Sequence, residues 1–137
     1  MTVQFADGEP NGLASMVGGL IEANLERDPK RRRLLKPGRV AVAAPDAGVS
    51  VTIRFAPGRV WVANGLRRPP PPQLRVRADS ATLLELSSAP LRLGLPDPLT
   101  AEGRRLLGKL LSREIRVAGL LLHPLMLARF NKLLSAA

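Results

Sequence analysis

The last quarter of the chain constrains the fold most, because it reads as helix, strand, helix. Leu99, Gly103, Leu106, Leu107 and Leu110 share one helical face by i, i+3, i+4, i+7 spacing, with Arg104, Arg105 and Lys109 on the other. Ser112 and Arg113 break the pattern. Residues 114–118 then alternate polar and apolar, with Ile115 and Val117 pointing the same way, as in a half-buried strand that Gly119 ends. Pro124 suits the first position of a new helix, where its missing N–H would have no partner in any case. That helix carries Leu125, Met126, Leu127, Phe130, Leu133 and Leu134. It is apolar over most of its circumference, so it is either buried or covered by something apolar that the chain does not supply.

The earlier residues supply the sheet. Residues 1–11 read as a loose lead-in. Asn11 can cap a helix, and Leu13, Met16, Val17, Leu20, Ile21 and Leu25 form a helical stripe that Asp28-Pro29 stops. From Arg39 the period changes to two. Val40 and Val42, then Val49, Val51, Ile53 and Phe55, then residues 59–63 read as a three-stranded antiparallel meander with turns at 45–48 and 56–58. Pro69 to Pro72 cannot donate to a sheet and form an extended, stiff connection. Leu74, Val76 and Ala78 alternate with Arg75 and Arg77 as a fourth strand. Asp79 and Ser80 offer caps for a short helix over 81–86. Leu91, Leu93 and Leu95 alternate next, either as a strand or as a loop crossing the core.

This order resembles the sterol carrier protein type 2 family almost end to end, over roughly Leu13 to Leu134. The carrying residues are the strand Arg116-Val117-Ala118-Gly119 with the helix from Pro124 to Leu134, the helix after Asp79, and the segment from Arg104 to Leu111. The resemblance implies an α+β fold: a mostly antiparallel five-stranded sheet, helices covering one face, and a hydrophobic tunnel between them. It implies one lipid-binding domain over residues 1–137, in the manner of a stand-alone bacterial member. Residues 135–137 depart from the peroxisomal tail of some family members.

Catalytic signals are absent. There is no Cys, hence no disulfide, thiolate metal site or Cys nucleophile. The one histidine, His123, precedes Pro124 and reads as a residue flanking a helix start. It has no companion at metal-ligand spacing and no nucleophile partner. Neither a Gly-x-Ser-x-Gly elbow nor a phosphate-binding loop occurs. The expectation is therefore a non-enzyme with no cofactor and no metal. Gly18-Gly19 is better explained by close helix packing than by phosphate binding. No secretory signal and no membrane-spanning run is visible, so a cytoplasmic setting is expected.

What the chain does contain is apolar surface and positive charge. Hydrophobic residues make up 45% of its 137 residues, enough to enclose a lipid tail. Burying a chain of roughly sixteen methylenes yields about 13 kcal/mol gross, from which association costs subtract. Val51, Ile53, Phe55, Leu84, Leu107, Leu111, Met126 and Phe130 are the candidate lining. The bound molecule would be a fatty acyl, isoprenoid or sterol-like lipid, either shuttled or presented to a partner enzyme. The net charge of +10 predicts attraction to a polyanion. Arg31, Arg32, Arg33, Arg67, Arg68, Arg104 and Arg105 are candidates for contact with an anionic membrane. Nucleic acid is disfavoured as a partner, because the basic residues are scattered along the chain and aromatic content is 3% with no Tyr.

Overall fold

A computed structural model describes residues 2–67, 71–88, 91–92, 95–96, 98–112, 114–119 and 122–135; side chains at 86–88, 91–92, 95–96 and 111 are not described. A six-stranded sheet carries four helices. In chain order its elements are β1 (Val3–Phe5), α1 (Gly12–Arg27), β2 (Gly38–Ala44), β3 (Val49–Ala56), β4 (Arg59–Asn64), β5 (Leu74–Arg77) and α2 (Ser80–Ser88). There follow β6 (Leu91–Arg92), β7 (Leu95–Pro96), α3 (Ala101–Leu111), β8 (Arg116–Ala118) and α4 (Pro124–Leu134). The sheet order is β1-β4-β3-β2-β5-β8, and β6 pairs with β7 in a separate two-stranded ribbon.

The sheet departs from the expected mostly antiparallel, five-stranded one. It is mixed: β1 pairs parallel with β4, and β5 parallel with β2. The additional strand, β1, comes from the residues read as a loose lead-in. Thr2 and Val3 are buried, and Val3 opposes Val60 across the pair. The parallel β2–β5 pair sets the direction of β5. β4 and β5 run in the same direction, so the chain must travel back along the strands and across β3 and β2. Residues 68–70, within the connection read as extended and stiff, lie outside the described residues. Thr52 receives the start of this crossing. Its hydroxyl donates to the Gly65 carbonyl at 2.9 Å and accepts from the Arg67 N–H at 2.8 Å.

Period-two alternation sorts the side chains onto two faces. Val40, Val42, Val51, Ile53, Val60, Val62, Leu74 and Val76 point inward and are buried. α1 lies over this face as its stripe requires, with Leu13, Val17, Ile21 and Leu25 buried. Asn11 caps it, its side chain accepting from the Ala14 N–H at 2.8 Å. Gly18 is where the Phe5 ring meets the helix: a Cβ there would lie 2.6 Å from the ring, whereas one at Gly19 would meet nothing. α4 crosses α1 and starts at Pro124 as read, with His123 in the capping position but making no side-chain cap bond. Its other end is tied down. The buried Asn24 amide donates to the Leu133 carbonyl at 2.8 Å, and Arg31 donates to the carbonyls of Lys132 and Ser135 at 2.9 and 2.6 Å. Gly119 ends β8 at φ +90°, where a Cβ would overlap the Gln73 carbonyl oxygen. Residues 93–94, within the stretch read as strand or crossing loop, lie outside the described residues.

Candidate functional site

The inner face carries an apolar cavity of about 50 Å³. Its floor is a single row across three strands, Val42 on β2, Val76 on β5 and Val117 on β8, which are register partners. Its roof is the meeting of helical stripes. Leu13, Met16, Val17 and Leu20 come from α1, Leu106 and Leu110 from α3, and Leu127, Phe130 and Leu134 from α4. Asn131 is the only polar side chain among the described lining residues. A second, smaller depression lies behind α4 and shares Phe130, with Phe55 and Met126 beside it. The Phe130 and Phe55 rings meet edge to face, centroids 6.2 Å apart.

Of the expected lining residues whose side chains are described, Phe130 alone is among the residues around the main cavity. Phe55 and Met126 line the neighbouring depression. Val51 and Ile53 are fully buried in the core; Val51 is the register partner of Val42 and so extends the floor row onto β3, but neither is among the cavity-lining residues. Leu107 is half-buried, while its neighbour Leu106 points into the cavity. Leu84 is 53% exposed, while Leu83 is buried and lines the cavity. The Leu111 side chain lies outside the described residues. On both helices the residue one position earlier in the chain is the one beside the cavity. The residues missed on α1, β2 and β8 were visible as apolar stripes, but a stripe does not disclose which other stripe it faces.

The expected basic residues do not form one patch. Arg31 is turned inward, capping the end of α4. Arg32 donates to the Thr2 hydroxyl at 2.7 Å, and Arg33 is exposed. Arg104 and Arg105 are exposed on α3, the latter paired with Glu85 at 3.2 Å. Arg67 pairs with Asp7 at 2.8 Å on the other face of the sheet. Arg68 lies outside the described residues.

Three carboxylates are held below the usual carboxylate range, all at hydrogen-bonded turns and none in the cavity. The Asn64 N–H donated to Asp7 is the chief cause there, with the Arg67 charge assisting. The Ser80 hydroxyl does this for Asp46, and Thr82 for Asp79 at the start of α2. Among the described residues no group of three or more His, Cys, Asp or Glu is placed to hold a metal ion. No helix among them is long and apolar enough to cross a membrane.

Comparison with known proteins places the fold. No family model and no curated protein matches the sequence. A solved structure described as UbiJ-SCP2 Ubiquinone synthesis protein is similar with a TM-score of 0.62 and 18% identity, over 89% of this chain and 92% of that one. A crystal structure of sterol carrier protein 2 is similar with a TM-score of 0.52 and 17% identity, over 88% and 91%. The chain therefore has a sterol-carrier-protein-2-like fold.

Proposed function

We propose that residues 1–137 act as one lipid-binding unit, which takes a fatty acyl, isoprenoid or sterol-like chain between the sheet and helices α1, α3 and α4 without chemically altering it. The observation that carries this reading is the apolar cavity over Val42, Val76 and Val117, roofed by three helices that meet there. A site of this kind needs an apolar enclosure and few polar groups.

At about 50 Å³ the cavity is smaller than an apolar site of about 150 Å³ that accepts benzene. Binding in this reading therefore opens the site. α4 is the element built to move, because its C-terminal end is fastened by Asn24 and Arg31 while its start has no side-chain cap. Swinging about the fastened end withdraws Leu127 and Phe130 from the floor and widens the cavity into a tunnel. Exposed cations such as Arg33 and Arg104 then serve transient contact with an anionic membrane from which lipid is collected, in a cytoplasmic setting.

One observation favours presentation to an enzyme over simple transport. The similar structure with the TM-score of 0.62 is described as a ubiquinone synthesis protein, which makes a long isoprenoid chain on a ring a suitable ligand and a biosynthetic enzyme a suitable partner. Native mass spectrometry of the purified protein, with organic extraction of what it carries, tests the reading. The expected result is a near-stoichiometric lipid adduct, released by a competing fluorescent fatty acid. A clean unliganded mass, with no uptake of the fluorescent fatty acid, refutes it.

A further inference from the structure

The face of the sheet opposite the cavity has a chemistry of its own. Residues that alternate with the buried valines point there: Arg39 on β2, Arg54 on β3, Arg59 and Trp61 on β4, Arg75 and Arg77 on β5. They are far apart in the sequence, and the fold brings them onto one surface. Arg39, Arg54 and Trp61 form a straight row of register partners across three strands, and Arg77 opposes Arg116 on β8. Every cation on these strands is arginine. Like charges directly opposite in a sheet repel and lower its stability, yet the fold makes two such Arg–Arg pairs. None of these arginines has a carboxylate within ion-pair distance among the described residues.

The two ends of the face differ. Around Arg77 and Arg116 a depression also contains Asp46, Asp79 and Glu114, which offset the charge. Around Arg39 and Arg54 a depression of about 320 Å³ contains Trp61 and Arg67 and, among the described lining residues, no carboxylate, the Arg67 charge being offset by Asp7 at 2.8 Å. The Arg54 guanidinium lies over the Trp61 ring, 4.0 Å from its centroid. Arginine beside aromatic gives a flat surface that is both cationic and stackable. The depression has room for a ring system larger than benzene, which fits in about 150 Å³.

We propose that this face binds single-stranded nucleic acid. Arg39, Arg54 and Arg59 pair with backbone phosphates through two-pronged contacts, and a base lies against the Arg54–Trp61 stack. The sequence pI of 11.6 fits a chain whose cations serve a polyanion. Two features favour this occupant over others. An anionic bilayer docked here would face the sheet side away from the cavity, and Trp61 is half-buried beneath Arg54 where it cannot insert among lipids. An acidic peptide would satisfy the arginines but leave the stacked surface unused. The site is separate from the lipid cavity, so the two assignments stand or fall independently.

The test is fluorescence anisotropy of the full chain with a labelled oligouridine of roughly 12 nucleotides, within the length such platforms hold. Binding should weaken with salt. The variant Arg39→Glu/Arg54→Glu should lose at least about tenfold in affinity, and the log–log salt slope should fall by about 1.4, or 0.7 per lost phosphate contact. The variant Arg33→Glu/Arg104→Glu makes the same change in net charge away from this face and should lose less than about threefold. Trp61→Ala, which removes the ring that holds the Arg54 guanidinium flat beneath the base, should lose about two- to fivefold. Arg39→Gln/Arg54→Gln, which removes charge while keeping side-chain length, repeats the test should charge reversal unfold the sheet. The proposal is overturned by equal losses in the two charge-reversal variants. It is also overturned by no oligouridine binding, whether or not phosphatidylglycerol vesicles or polyglutamate bind instead.

Discussion

Phe130 joins the core and the cavity, and its truncation tests how α4 is held. The side chain is 3% exposed, lines both the main cavity and the depression behind α4, and meets Phe55 edge to face. Phe130→Ala removes a fully buried ring, for which transfer and cavity terms together cost about 3–5 kcal/mol, part of it the aromatic pair at about 0.5–1.5 kcal/mol. Because the ring separates the two spaces, its loss merges them. Thermal unfolding followed by circular dichroism reads the change, and a cost of about 4 kcal/mol appears as a fall in Tm of about 12–16 °C at this chain length. Adding a lipid that enters the merged space restores part of the loss, about 2.7 kcal/mol at a hundred times its Kd. Phe130→Leu, which refills most of the space, should cost less than half as much. A loss below about 1 kcal/mol for Phe130→Ala refutes the packing argument, since a ring that seals α4 to the sheet cannot be removed so cheaply.

Two further outcomes follow from local geometry. Gly119→Ala forces a side chain into φ +90° and onto the Gln73 carbonyl, so it should lower stability by at least about 2 kcal/mol in urea unfolding, whereas Gly19→Ala, with nothing near its Cβ, should be neutral or slightly stabilising. Acid should weaken the fold in a defined window. Asp7, Asp46 and Asp79 are lowered from an ordinary value of 3.8 in the folded chain, so the stability they contribute is present above that value and is lost as pH falls through their folded values. The urea midpoint should therefore drop below about pH 4, and Asp79→Asn should make the drop shallower; a midpoint that is flat down to pH 2 contradicts the assigned hydrogen bonds.

Local periodicity carried most of the elements. The stripe Leu13, Val17, Ile21, Leu25 with Asn11 ahead of it is α1 with its cap, because a helix on a sheet needs one apolar face and a satisfied first turn. Pro124 begins α4 for the same kind of local reason. Where partners decide, the sequence is silent. The strand at Val3–Phe5 is three residues long and pairs with β4 far along the chain, so neither its length nor its alternation marks it out. Leu74 and Val76 alternate identically whether their neighbour is parallel or antiparallel, which is why the join to β2 could not be read. The cavity was less legible still. Leu106 and Leu107 are adjacent on α3, as are Leu83 and Leu84 on α2, and only the position of the neighbouring helix decides which of each pair turns inward.

The scattered arginines show the same limit from the opposite side. Arg39, Arg54, Arg75 and Arg77 look dispersed along the chain, and dispersal argued against a nucleic-acid surface. Yet each sits one position out of phase with a buried valine, isoleucine or leucine, and a sheet converts that phase into a shared face. The alternation that builds the cavity floor from Val42, Val76 and Val117 is the one that gathers the arginines behind it. A shift of one residue in the register of β2 or β5 would move both sets at once. Single substitutions on either face leave the register alone. Arg54→Gln should therefore change what the arginine face attracts without altering lipid uptake, and enlarging Val76 should do the reverse.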